Sequence, residues 1–60
     1  MVNKLLYFTA SWCGQCKVLR PIMEELMSQG YNIQKVDVDE NPSLAIQYNV
    51  RSVPTTILIS

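Results

Sequence analysis

Two cysteines separated by two residues are the side chains of this sequence with the clearest capacity for chemistry. Both lie in the run Trp12-Cys13-Gly14-Gln15-Cys16-Lys17, and the chain has no other cysteine. Thiols at this spacing can close a disulfide across one helical turn. If a helix begins at Cys13, unpaired backbone N–H groups and the helix dipole favour its thiolate, the form that attacks disulfides. A Cys-x-x-Cys beside a strand–helix–strand pattern indicates a dithiol redox motif.

The composition removes several competing classes of protein. The chain has no histidine, which excludes Cys₂His₂ zinc fingers and Cys–His nucleophile pairs. Two cysteines are half of a Cys₄ set, so a structural zinc would need carboxylates, a second chain or an external ligand. Five basic and five acidic side chains give zero net charge, which argues against a nucleic acid partner.

The lengths of the apolar runs indicate in which compartment the protein is expected. They are far too short to span a bilayer, and residues 1–4 lead straight into a short strand-like segment rather than a signal peptide. No membrane partner is expected. The default expectation is a cytoplasmic protein, and in that compartment a lone pair of cysteines is more often catalytic than structural.

The hydrophobic pattern predicts five elements in the order β-α-β-α-β. They are a buried strand at Lys4–Thr9, a helix over residues 13–29 with Gly30 as its C-terminal cap, a strand at 33–39, a helix over 42–49 and a strand at Thr55–Ile59. We expect Pro21 to kink the first helix and Asn41 to cap the second. A right-handed crossover should make the first two strands parallel.

The length limits what the chain can stabilise. A domain of sixty residues buries only about 60% of the surface that its unfolded chain exposes. The sequence ends within the strand-like run of residues 53–60. We therefore expect residues 1–60 to form one domain that is incomplete at its C-terminal end.

Several motifs in register resemble the thioredoxin family. Residues 12–17 are similar to the family's Trp-Cys-Gly-Pro-Cys-Lys, and Pro21 falls where the family's active-site helix has its kinking proline. Residues 35–39 with Asn41-Pro42 resemble the family's central strand and next helix start. Val53-Pro54-Thr55 resembles the cis-proline turn that packs against the family's active-site disulfide. Together these motifs cover nearly the whole chain, from about residue 5 to residue 59.

The resemblance implies a thioredoxin-like α/β fold. Its first two strands would be parallel and its third strand antiparallel to the first. The C-terminal hairpin strand and helix of the family are missing from this sequence. Because the third strand would then have an open edge, we expect one of three outcomes: pairing of two chains through that edge, a partly disordered C-terminus, or a longer native polypeptide of which this sequence is a part.

The resemblance also implies an activity and a set of site residues. Cys13 would attack a protein disulfide, and Cys16 would then attack the Cys13 sulfur and release the reduced substrate. No metal and no cofactor beyond this disulfide is expected. A disulfide reductase system, either thioredoxin reductase or glutathione, would restore the thiols. The residues implied in substrate binding are Trp12, Gly14, Gln15, Val53 and Pro54, with the Val53 backbone pairing with an extended segment. Ordinary half-buried packing of Trp12 is the alternative.

Three positions are candidate modulators of this chemistry. Tyr7 lies where thioredoxins usually have a buried aspartate, and a phenol does not act as a base at neutral pH. Release of a mixed disulfide is therefore expected to be slower than in an aspartate-bearing relative. Lys35 matches a family lysine near that aspartate, and Lys17 adds positive charge or is a solvated helix side chain. Gln15 replaces the family's proline.

Two alternative functions remain open at this stage. A glutathione-dependent, glutaredoxin-like enzyme would share the fold and the Val-Pro turn, although Gly14-Gln15 lacks the aromatic residue typical between its cysteines. A non-enzymatic thioredoxin-like interaction module would carry its thiols incidentally. Thioredoxin reductase as the electron donor would favour the thioredoxin-type enzyme, and glutathione would favour the glutaredoxin-like one. Activity that survives alkylation of Cys13 would favour the interaction module.

Overall fold

The strands and helices follow the predicted β-α-β-α-β order. The computed structural model describes residues 3–59, and Met1, Val2 and Ser60 lie outside them. The expectation that the first residues are not a signal peptide falls partly on this undescribed segment. The elements are β1 at Lys4–Thr9, α1 at Gly14–Ser28, β2 at Ile33–Asp37, α2 at Pro42–Gln47 and β3 at Thr55–Ile59.

The sheet has the strand order β2-β1-β3, which confirms the predicted arrangement. Strand β1 pairs with β2 in parallel, with Leu5 opposite Ile33. It pairs with β3 in antiparallel fashion, with Phe8 opposite Thr55. Because β1 lies between two strands, its backbone is hydrogen-bonded on both sides. It is also buried on both faces, which explains its nearly continuous apolar sequence.

The larger hydrophobic core lies between the sheet and α2. Leu6 and Phe8 lie on the same face of β1 by the two-residue period of a strand, and they pack with Val36 and Ala45. Tyr48 covers this core at its edge, with its ring 6.2 Å from the ring of Phe8 in a tilted arrangement. Aromatic rings at this separation and tilt attract each other beyond the area they bury.

The C-terminal end of α1 confirms the prediction made for Gly30. Gly30 has a φ of 98°, a left-handed conformation that glycine adopts without steric cost. Its N–H donates to the Met27 carbonyl at 3.1 Å, and the Tyr31 N–H donates to the Leu26 carbonyl at 3.3 Å. These two bonds satisfy carbonyls that the helix end would otherwise leave unpaired.

Two predicted boundaries were too long. The prediction that β2 extends to residue 39 is wrong, because the Asp37 carboxylate accepts the N–H groups of Asp39 at 2.8 Å and Glu40 at 3.3 Å and turns the chain. The prediction that α2 extends to residue 49 is also wrong. It ends at Gln47, and Asn49 adopts a left-handed φ of 57° that cannot continue the helix.

The prediction that the Asn41 side chain caps α2 is wrong as well. Asn41 occupies the cap position, but its side chain makes no capping hydrogen bond. Its backbone N–H donates to the Asp37 carbonyl at 2.8 Å. The following Pro42 has no N–H, so the helix start has one donor fewer to satisfy.

Neither helix described within residues 3–59 has both the length and the apolar character needed to cross a bilayer.

Candidate redox-active site

The cysteine pair lies where the chain leaves β1 and enters α1. Cys13 is the N-cap of α1, with an extended backbone (φ −87°, ψ 113°). The Cys16 N–H donates to Cys13 Sγ at 3.2 Å. The sulfur therefore occupies the place of the serine or aspartate oxygen that usually caps a helix. Negative charge on this sulfur would meet a hydrogen-bond donor and the positive end of the helix dipole.

Cys13 and Cys16 form a disulfide, with their Cα atoms 5.3 Å apart. The two sulfur-bearing residues differ in access to solvent: Cys13 is 7% exposed, whereas Cys16 is fully buried at 0%. A molecule that approaches from solvent therefore reaches Cys13 first. This asymmetry separates an outer sulfur that can exchange with another disulfide from an inner sulfur that can close the ring.

Val53 and Pro54 lie against the disulfide from the other side. The Val53–Pro54 peptide bond is cis, and the Val53 carbonyl oxygen lies 3.6 Å from Cys13 Sγ. In the disulfide this sulfur has no proton, so the contact is not a hydrogen bond in the oxidised state. A reduced Cys13 thiol would have the Val53 carbonyl as an acceptor within reach.

Trp12 stands beside the pair as an exposed ring. It is 67% exposed, so the alternative of half-buried packing is wrong. Its Nε1–H donates to Asp39 Oδ2 at 2.8 Å, a charge-assisted bond that fixes the edge of the ring. The other ring surface stays open to solvent. It borders a small pocket of about 90 Å³ lined by Trp12, Val38, Val50, Arg51, Ser52 and Val53.

The sequence did not predict the hydrogen bond between Asp39 and Trp12. The two residues are 27 residues apart in the chain, so no local pattern joins them. The parallel pairing of β1 and β2 contained the signal. Parallel neighbours end at the same edge of a sheet, which brings the segment after β2 beside the segment after β1.

The three candidate modulators occupy different environments. Tyr7 is 1% exposed, and its hydroxyl donates to the Cys16 backbone carbonyl at 3.4 Å. Lys35 lies opposite Tyr7 in the β1–β2 register but is exposed, and Lys17 is exposed on α1. The structure therefore brings Tyr7 to the cysteine pair and leaves both lysines at the surface.

The remaining site residues predicted from the sequence surround the disulfide. Gly14 and Gln15 lie between the cysteines in the first turn of α1, and both are exposed. No three histidine, cysteine, aspartate or glutamate residues within the described part of the chain come close enough together to hold a metal ion.

A disulfide that caps a helix directly after the central strand of a mixed sheet defines a class of protein with a dithiol–disulfide centre. The sequence model of the thioredoxin family, described as Thioredoxin, matches residues 2–60. The chain therefore belongs to the thioredoxin family.

Thioredoxins from several organisms are similar to this chain. A thioredoxin of Staphylococcus epidermidis is 50% identical over 58 residues, which cover 92% of this chain and 56% of that protein. A thioredoxin of Staphylococcus aureus is 48% identical over 58 residues, which again cover 92% of this chain and 56% of that protein. This chain thus spans little more than half the length of the curated relatives it matches.

Solved structures of thioredoxins have the same fold. The thioredoxin of Fasciola hepatica superposes with a TM-score of 0.91 at 35% identity, covering 97% of this chain and 58% of that one. A mutant thioredoxin from Halobacterium salinarum NRC-1 gives 0.88 at 46% identity, covering 97% of this chain and 52% of that one.

The hydrogen bond between Trp12 and Asp39 leads to a prediction about the indole. Asp39→Ala removes the acceptor, so we expect faster local motion of the ring, measured by time-resolved fluorescence anisotropy. Asp39→Asn keeps an oxygen acceptor and serves as the matched control, with motion close to wild type. Trp12 is the only tryptophan of the chain, so the signal has one source. Equal mobility in all three proteins would mean that the bond does not hold the ring in solution.

Proposed function

We propose that this protein is a thiol–disulfide oxidoreductase that reduces disulfides of other proteins. The observation that carries the proposal is the asymmetric pair at the start of α1. The Cys13 sulfur accepts a helix N–H and Cys13 is 7% exposed, while Cys16 is completely buried. Membership of the thioredoxin family supports the same reaction.

The reaction proceeds in two exchanges. The Cys13 thiolate attacks one sulfur of the substrate disulfide, a mixed disulfide forms, and the other substrate sulfur leaves as a thiolate that takes up a proton. The Cys16 thiolate then attacks Cys13 Sγ, the mixed disulfide breaks, and the second substrate sulfur leaves. The substrate gains two electrons and the Cys13–Cys16 pair is oxidised. The two sulfurs carry these electrons, so the reaction needs no bound cofactor.

The substrate would lie across the exposed surface beside Cys13. Trp12 offers an open ring face on one side of the small pocket, and Val53 lines the other side. The Val53 carbonyl is available to an extended segment in the manner of strand addition, and Pro54 holds no competing N–H. Gly14 and Gln15, exposed between the cysteines, complete the contact surface.

The roles of the two cysteines predict which variant traps a substrate. Cys16→Ser leaves the outer thiol without a resolving partner, so mixed disulfides through Cys13 should accumulate and be visible on a non-reducing gel. Cys13→Ser is the matched control and should trap little, because its remaining thiol is buried. Equal trapping by both variants would contradict the assignment of roles.

The electron donor is tested by an insulin-type disulfide reduction assay. We expect turnover when thioredoxin reductase and its reductant regenerate the thiols, and the loss of turnover in Cys13→Ala. Turnover with glutathione alone would favour the glutaredoxin-like alternative. If alkylated Cys13 left every activity intact, the chain would be an interaction module rather than an enzyme. A cytoplasmic location is part of the proposal, because a reductase needs a reducing compartment.

The edge of β3 supports a further proposal, that two copies of this chain associate. In the described sheet, β3 pairs with β1 on one side and its other edge carries only uncharged residues. A second apolar surface lies on one face of the sheet, where Leu58 is 69% exposed and lines a groove of about 250 Å³ together with Leu5, Leu26 and Ile33. An unpaired apolar edge is a template for another chain.

Sedimentation at several concentrations tests this association. We expect the sixty-residue chain to dimerise with rising concentration and Leu58→Lys to shift the equilibrium towards monomer. Ile46→Lys is the matched control, because Ile46 is 79% exposed on α2, away from the β3 edge. A monomer at every concentration, with strongly protected amides in Thr55–Ile59, would rule the association out.

A further inference from the structure

Tyr7 joins the central strand of the sheet to the first turn of α1. Its side chain is 1% exposed, and its hydroxyl donates to the Cys16 backbone carbonyl at 3.4 Å. The bond therefore ends on the backbone of the inner cysteine. It starts from β1, which is hydrogen-bonded on both sides and is the most restrained strand of the sheet.

Pro21 increases the importance of the Tyr7–Cys16 hydrogen bond for holding the first turn of α1 in place. In an α-helix each N–H donates to the carbonyl four residues earlier. Pro21 lies within α1 and has no N–H, so the Lys17 carbonyl loses that partner, and the proline ring crowds the same carbonyl. The first turn, which carries Cys16 and follows the capping Cys13, is thus held to the rest of the helix by one bond fewer than in a regular helix.

We propose that Tyr7 is a positioning residue for Cys16, an inference that rests on the proposed dithiol exchange. When Cys13 is held in a mixed disulfide, the Cys13–Cys16 bond is open and only the local backbone keeps the Cys16 sulfur in place. The Tyr7 hydroxyl then fixes the Cys16 carbonyl against β1. This contact keeps the inner sulfur within reach of Cys13 Sγ for the step in which the Cys13–Cys16 bond forms and the substrate sulfur leaves.

The length of the hydrogen bond sets the size of the expected effect. At 3.4 Å it is longer than the usual 2.7–2.8 Å for a hydroxyl donor. A typical net hydrogen bond corresponds to about a two- to tenfold change in an equilibrium or rate, and this long bond belongs to the lower part of that range. We expect removal of the hydroxyl to slow ring closure about two- to fivefold.

The test follows the two exchanges separately with an aromatic disulfide, dithiobis(nitrobenzoate), added to the reduced protein. Attack by Cys13 releases one coloured thiol in a phase that depends on reagent concentration. Closure by Cys16 releases the second in a phase that does not. Tyr7→Phe should slow only the second phase. The control is Tyr48→Phe, which removes a hydroxyl from a half-buried ring that packs against Phe8, and it should change neither phase.

The outcomes distinguish a failure of the proposed dithiol exchange from a failure of the positioning role of Tyr7. If the wild-type protein releases only one coloured thiol, the proposed function is wrong and this inference with it. If it releases both, and folded Tyr7→Phe closes at the wild-type rate or slows equally in both phases, the inference alone is wrong. Should Tyr7→Phe not fold, nuclear magnetic resonance of the reduced wild-type protein decides. A slowly exchanging Tyr7 hydroxyl proton close to Cys16 supports the inference, and a rapidly exchanging one overturns it.

Discussion

The burial and double pairing of β1 is the constraint on which the rest of this structure depends. β1 contacts β2 on one side and β3 on the other, and its residues from Leu6 to Thr9 are buried. A strand in this position has no freedom to slide, because a shift of one residue would exchange its two faces. The loop that follows it therefore begins at a fixed point, and the start of α1 with Cys13 is fixed with it.

The strands β2 and β3 run in opposite directions, and together with β1 they bring three distant segments of the chain to the same end of the sheet. β2 is parallel to β1, so its C-terminal end reaches the same edge and places Asp39 beside Trp12. β3 is antiparallel, so its N-terminal end reaches that edge and places the Val53 carbonyl beside Cys13, 40 residues away in the chain. With β3 in the other direction, its N-terminal end would lie at the far end of the sheet.

Cys13 combines a structural and a chemical role through the same backbone group. The Cys16 N–H that satisfies the helix start donates to the sulfur that would attack a substrate. The stabilisation of the helix end and that of a thiolate are therefore one interaction. This sharing explains why the reactive group lies at a helix start, and why the first turn of α1 must stay in place while the sulfur changes partner.

The fold could be predicted from local and repeating sequence patterns for the Gly30 cap and for the order of the strands and helices along the chain. The arrangement of the strands in the sheet followed from the resemblance to the thioredoxin family. Prediction failed at Asn41, which occupies the cap position of α2 but makes no side-chain capping hydrogen bond. The hydrogen bonds that hold Trp12 and Tyr7 were not predictable either. Each joins different elements, and its partner follows only from the directions and register of the strands. The residue types around the disulfide are thus visible in the sequence, whereas the groups that hold them in place depend on how β1 is paired.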